Sequence, residues 1–143
     1  LFLGTHEHAL DEKGRIIMPS RFRPKLEEGV VMVPWFESCV AIFPRGEYQK
    51  LMERLESLPE GLEEKRYLER LLMGLAFEAM PDRQGRLTIP PRLRQMARLE
   101  REVAIVGLKN RVEVWDRARW EEMVAGGWDR SGEMASKIGH LGF

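Results

Sequence analysis

Asp11-Glu12-Lys13-Gly14-Arg15-Ile16-Ile17-Met18-Pro19-Ser20-Arg21-Phe22-Arg23 returns 71 residues downstream as Asp82-Arg83-Gln84-Gly85-Arg86-Leu87-Thr88-Ile89-Pro90-Pro91-Arg92-Leu93-Arg94. Asp, Gly, Arg, Pro and two further Arg recur at identical offsets, and the apolar positions between them are kept: Ile16 with Leu87, Met18 with Ile89, Phe22 with Leu93. Internal repetition of this kind reports a duplicated structural unit and constrains the fold before any local propensity does. With 143 residues and 43% hydrophobic content, the chain can bury one good core, whereas two independent domains of about seventy residues would be marginal. Two intertwined halves of one unit are therefore expected.

Each Asp-x-x-Gly core reads as a type I turn, with Asp first and Gly fourth, where a left-handed residue forms a G1 bulge. The flanking segments, about His6 to Leu10 with Arg15 to Met18 and Glu78 to Met80 with Arg86 to Ile89, are expected to be the two strands of each hairpin. Pro19 and Pro90 end those strands. A short helix over Arg21 to Glu27, capped by Ser20, weakened by Pro24 and stopped by Gly29, has its copy from Pro91 to about Leu99. Apolar strands then follow in both halves: Val30 to Val33 matches Val103 to Val106, and Val40 to Phe43 matches Val112 to Trp115.

An amphipathic helix from about Glu47 places Tyr48, Leu51, Met52, Leu55 and Leu58 on one face, with Pro59 as its end. Its counterpart starts after an Asp116 N-cap and turns Trp120, Met123 and Val124 inward. Residues 62 to 75 form a linking helix, with Leu68, Leu71, Leu72 and Leu75 at helical spacing. This divides the chain into a half-domain at 5–47 followed by helices to about 75, a second at 76–119, and a glycine-rich tail at 126–143. Each half is strand, strand, helix, strand, strand, helix, an α+β organisation.

Formal charge is zero, with 23 basic and 23 acidic residues, whereas nucleic-acid-binding domains usually run basic. The distribution says more. Lys13, Arg15, Arg21, Arg23 and Lys25 stand against Asp11 and Glu12, a net of +3 over residues 11–25. Arg83, Arg86, Arg92, Arg94 and Arg98 stand against Asp82, a net of +4 over residues 82–98. The segment between is rich in Glu, so a basic face on a neutral body is expected. The single cysteine, Cys39, excludes an internal disulfide and a thiolate zinc cluster and points to a reducing compartment. Leu1-Phe2-Leu3 before Gly4 is too short for a signal peptide or a membrane span.

An Arg beside a glycine-containing tip is placed to enter the major groove and pair bidentately with guanine O6 and N7, which singles out Arg15 and Arg86. Lys13, Arg83 and Gln84 on the turns reach phosphates or base edges, while Gly14 and Gly85 let the backbone approach closely. Arg15, Arg86, Asp11 and Asp82 all admit a second reading, the aspartates most of all, in which Asp and Arg flank the turn and pair simply to fix it. Arg21, Arg23, Arg92 and Arg94 are further candidates for DNA contact; they stand two apart and diverge on a helix, which leaves room for one member of each pair to face the barrel edge rather than DNA. His6 and His8 share a strand face, but the only other histidine is His140, and they are read as packed or solvated rather than as metal ligands. Trp35, Trp115, Trp120 and Trp128 fit core or subunit contacts. No phosphate-binding loop, nucleophile constellation or cofactor fingerprint appears, so no cofactor, no metal and no enzymatic activity are expected.

Phe2-x-Gly4, Leu10-Asp11-x-Lys13-Gly14-Arg15, Pro19 and Phe22-Arg23, followed by Asp82-x-x-Gly85-Arg86, Pro90 and Leu93-Arg94, resemble the MraZ family over roughly residues 1 to 125. That bacterial family is built from two tandem AbrB-like (SpoVT-AbrB) half-domains. The resemblance implies a swapped-hairpin β-barrel formed within one chain, assembly into a ring (an octamer by family analogy), and binding to double-stranded DNA as a transcriptional regulator. In the family Asp-x-x-x-Arg is the DNA-binding signature, which carries over to Asp11, Arg15, Asp82 and Arg86. The implied target is repeated boxes in the promoter of the division and cell-wall gene cluster that holds the regulator's own gene, most simply as its repressor. The implied location is the cytoplasm, at the nucleoid. The alternative is an AbrB-like antitoxin that neutralises a partner protein, although such chains usually carry one half-domain and a disordered acidic tail.

Overall fold

The computed structural model describes residues 1–143. Eight strands and five α-helices alternate in chain order: β1 (Phe2–Ala9), β2 (Arg15–Ile17), β3 (Val30–Trp35), β4 (Cys39–Pro44), α1 (Arg45–Glu56), α2 (Glu63–Leu72), β5 (Phe77–Ala79), β6 (Arg86–Thr88), α3 (Pro91–Met96), β7 (Glu102–Lys109), β8 (Arg111–Asp116), α4 (Arg117–Asp129) and α5 (Ser131–Ile138). A 3₁₀ helix at Ser20–Leu26 follows β2. Six strands form one antiparallel sheet in the order β1-β7-β8-β4-β3-β5, and β2 and β6 pair in a separate ribbon.

The ribbon corrects the hairpin expectation. β1 does not run back along β2; its eight residues pair with β7, from Phe2 opposite Lys109 to Ala9 opposite Glu102. β5 pairs with β3. Each hairpin closes only at its turn, and its second strand crosses to the second strand of the other half, with Ile16 opposite Leu87 at the centre. Local pattern sees two strands joined by a turn, and the core decides otherwise. Crossing over lays Ile16, Met18, Leu87 and Ile89 onto one sheet face against Val30, Met32, Val40, Ile42, Val103, Ile105, Val112 and Val114 in one cluster of 17 buried residues.

The opposite sheet face is also covered, which is why β3, β4 and β7 read as unbroken apolar runs. Val31, Val33, Ala41 and Phe43 pack under Met52 and Leu55 of α1 and Leu72 of α2. Cys39, Ala104, Val106 and Trp115 pack under Trp120 of α4. α1 and α2 are joined by Lys65, only 1% exposed, whose ammonium donates to the carbonyls of Glu56 (3.0 Å) and Leu58 (2.8 Å) and to the Glu60 carboxylate. It thereby satisfies carbonyls left free at the α1 C-terminus.

Other local expectations are corrected. Ser20 is no cap: Pro19 precedes the helix and no side chain caps it. That helix is 3₁₀ where its copy α3 is α-helical, because Pro24 has no N–H to give an i→i−4 bond and Gln95 at the equivalent place does. α1 ends at Glu56 and leaves Leu58 exposed, and Leu71 of α2 is exposed as well. Asp116 does cap α4, accepting from the Arg119 N–H at 3.4 Å, but Met123 and Val124 face outward and only Trp120 turns in. Residues 126–143, expected as a tail, are largely helical: α4 continues through Gly126 and Gly127, and α5 follows. No helix is long and apolar enough to cross a membrane.

The ribbon's period of two yields a direct check. Leu87→Ala, which empties a core position that is 2% exposed, is expected to cost about 2–5 kcal/mol in urea unfolding. Thr88→Ala, one residue on and outward, should stay within about 0.5 kcal/mol of wild type. Equal effects would contradict the ribbon's orientation.

Candidate nucleic-acid interface

Both tips are built by the same set of bonds. In the first, the Gly14 N–H donates to the Asp11 carbonyl at 3.0 Å and the Asp11 N–H donates to the Arg15 carbonyl at 3.0 Å, with Gly14 at φ +75°. This is the type I turn with a G1 bulge. Asp11 Oδ1 accepts from the backbone N–H groups of Lys13 and Arg15, both at 2.9 Å, and Oδ2 accepts from Arg15 Nε at 2.6 Å. In the second, Gly85 (φ +77°) donates to the Asp82 carbonyl at 2.9 Å. Asp82 Oδ1 accepts from the Gln84 and Arg86 N–H groups at 2.9 Å, and Oδ2 accepts from Arg86 Nε at 2.6 Å.

Each aspartate is thus the internal brace of its turn. Backbone N–H donation from Arg15 holds the Asp11 carboxyl below the ordinary carboxylate range, helped by the Arg15 side chain and the Lys13 N–H, against some desolvation. Asp82 is lowered likewise, first by the Arg86 backbone and next by its side chain. The arginines are not consumed by this pairing. Only Nε is engaged; the terminal Nη groups of Arg15 and Arg86 have no hydrogen-bond partner within the chain. A guanidinium held by Nε is oriented while its remaining donors stay available.

The tips are fastened to each other's half. The Gly14 carbonyl accepts from the Ile89 N–H at 2.9 Å, and the Gly85 carbonyl from the Met18 N–H at 2.7 Å, which extends the ribbon to both turns. Gly14 and Gly85 are buried, and a Cβ at Gly14 would overlap the Arg94 guanidinium, as one at Gly85 would overlap the Arg23 side chain. The close approach that these glycines permit is therefore that of an arginine from the opposite half. Arg23 Nε also donates to the Met18 carbonyl at 2.9 Å. Arg21 and Arg92 are exposed.

The ribbon brings Arg15 and Arg86 together on its outward face, with exposed Lys13 at one end and exposed Arg83 and Gln84 at the other. Two residues absent from the sequence-based candidate set share that face: Ile17, 42% exposed and opposite Arg86, and exposed Thr88, opposite Arg15. Strand alternation from buried Ile16 and Leu87 is the signal that marks them. Behind the first tip lies a groove of about 850 Å³ where Arg94, Arg98 and Arg101 face Asp11, Glu12 and Glu100, so its charges balance. His6 packs edge-on to Phe22, centroids 5.3 Å apart, and no group of three or more His, Cys, Asp or Glu is placed to hold a metal ion.

A family model described as "MraZ protein, putative antitoxin-like" matches residues 1–71 and 72–131. The chain is similar to proteins named transcriptional regulator MraZ. That of Roseiflexus castenholzii is 41% identical over 143 residues, covering 100% of both chains. That of Kineococcus radiotolerans is 46% identical over 121 residues, covering 85% of each. That of Salinispora arenicola is 42% identical over 125 residues, covering 87% of this chain and 88% of the relative.

Carboxyl titration by NMR should place both Asp11 and Asp82 below the ordinary aspartate value of about 3.9. Because the folded pKa is lowered, the stabilisation is complete above the unfolded value and disappears as pH falls through the folded one. In Arg15→Ala the Asp11 midpoint should rise only part of the way, since the backbone donors remain; full return to the ordinary value would refute the brace.

Proposed function

The chain belongs to the MraZ family, and from that premise we propose that it is a transcriptional regulator that binds double-stranded DNA sequence-specifically through the β2–β6 ribbon and its two tips. The observation that carries this reading is the pair of Asp-braced arginines held on the outward face of one ribbon. A two-stranded ribbon is one of the elements the major groove admits, and an arginine presenting two free donors reads guanine there. Arg15 and Arg86 are diagonal neighbours in the pairing, which puts their Cα atoms about 7–8 Å apart, roughly two steps of a duplex that rises about 3.4 Å per base pair.

The remaining basic residues fit supporting roles. Lys13 and Arg83 at the ribbon ends and Arg21 and Arg92 at the adjoining helices reach phosphates, and Gln84 reaches a base edge. Arg23 and Arg94 act from inside, by seating the tips. Few phosphate contacts on a chain of zero formal charge bind weakly alone. A ring-shaped homo-oligomer presenting several ribbons to repeated promoter boxes would gain about 10² to 10⁴-fold in avidity. The target in this reading is the promoter of the division and cell-wall gene cluster containing its own gene, which it represses.

The test is a binding titration of wild type and the Arg15→Ala, Arg86→Ala double variant, using DNA upstream of the gene and a scrambled duplex at two salt concentrations. Wild type should prefer the upstream DNA, and each lost guanine contact should cost about 1–3 kcal/mol of that preference in a variant that still melts near wild type. Absence of preference in the wild type would sink the DNA reading and favour a protein partner, as for an antitoxin.

A further inference from the structure

Arg15, Thr88, Ile17 and Arg86 form a quadrilateral on the outward face of the ribbon, with each arginine directly opposite one of the two smaller residues. The two halves are related by a pseudo-dyad through the Ile16–Leu87 pair. Ile17 and Thr88 occupy the same place in their repeats, two residues beyond the tip arginine. An isoleucine 42% exposed, opposite one arginine and two residues from the other, lies outside the buried clusters of the chain. Its neighbours one residue away on either side, Ile16 and Met18, are fully buried.

We infer that Ile17 is a specificity-determining residue, whose side chain packs against the C5-methyl group of a thymine next to the guanine read by Arg86. This rests on the DNA-binding reading above. Of the features displayed in the major groove, the thymine methyl is the one that an apolar side chain recognises. The cross-strand position sets the geometry. Directly opposed residues in an antiparallel pair stand about 4.5–5.5 Å apart, so when Arg86 engages a guanine, Ile17 lies over the adjacent base-pair step. Thr88 stands in the same relation to Arg15 but presents a hydroxyl beside its methyl, so it also accepts a polar edge there. The two half-sites are consequently read by the same arginine and by different companions.

Single thymines in the upstream duplex are replaced one at a time by deoxyuridine, which removes only the methyl, and binding of wild type and Ile17→Ala is titrated. Wild type should lose on the order of fourfold at one or more thymines, the worth of one buried methyl, and Ile17→Ala should bind methylated and unmethylated duplexes equally at those positions. Indifference of wild type to every deoxyuridine, or losses that multiply in Ile17→Ala, would overturn the assignment. The deoxyuridine series on wild type does not depend on how any variant folds. If selectivity for the upstream DNA survives and vanishes with Arg15 and Arg86 while no methyl matters, only the Ile17 role falls; if wild type shows no selectivity, both readings fall.

Discussion

Strands β2 and β6 are three residues long and have no strand partner except each other. A two-stranded ribbon of that length does not persist alone in water. It is held by four apolar residues, Ile16, Met18, Leu87 and Ile89, none more than 2% exposed, and by the carbonyls of Gly14 and Gly85, each accepting from the other half. Remove one half and the other loses the strand opposite it, the acceptor for Met18 or Ile89, and the arginine seated on its tip. Neither half can close its core without its counterpart, and the exchange makes two marginal units into one that buries both.

That exchange also sorts the arginines. Arg23 and Arg94 occupy equivalent places and do equivalent work, each lying over the tip glycine of the opposite half. The arginine at the end of each tip is braced by the aspartate that opens it, so the turn and the arginine side chain are held by one carboxylate. Each carboxylate has two tasks: Oδ1 accepts the backbone bonds that hold the turn, and Oδ2 holds the arginine Nε. The tips carry Lys13, Arg15, Arg83 and Arg86 against Asp11, Glu12 and Asp82, so on a chain of zero net charge the ribbon is slightly basic.

Much of this was legible in the chain. The repeat, the Asp-x-x-Gly turn with its bulge, the paired apolar strands and the Asp116 cap all depend on local chemistry, and local chemistry is what a sequence displays directly. The partner of each strand was not legible, because alternation says which face of Arg15–Ile17 is apolar and nothing about which strand lies beside it. Of the candidate site, the arginines and aspartates stand out in the sequence, whereas Ile17 and Thr88 do not, because an exposed Ile or Thr in a strand carries no chemical flag until its neighbours are known. The helical course of residues 126–143 was masked by five glycines, which lower helix propensity without forbidding the helix. Met123 and Val124 matched an inward face that the structure gives to Trp120 alone, since α4 touches the sheet only near its start.

Joining the two halves in one chain permits what a dimer of identical halves forbids. In such a dimer, every outward residue on the ribbon would be repeated by symmetry, and the DNA site would mirror it as a palindrome. Here the arginines, aspartates and glycines keep the pseudo-dyad, while the residues around them break it: Glu12 against Arg83, Lys13 against Gln84, Ile17 against Thr88. The first tip carries an acid and a base; the second carries a base and an amide. The ribbon therefore has a direction, more basic at its second end and more apolar beside Arg86. Under the DNA-binding reading proposed above, a directional ribbon sets no requirement for an inverted repeat, because its two ends present different side chains to whatever they meet.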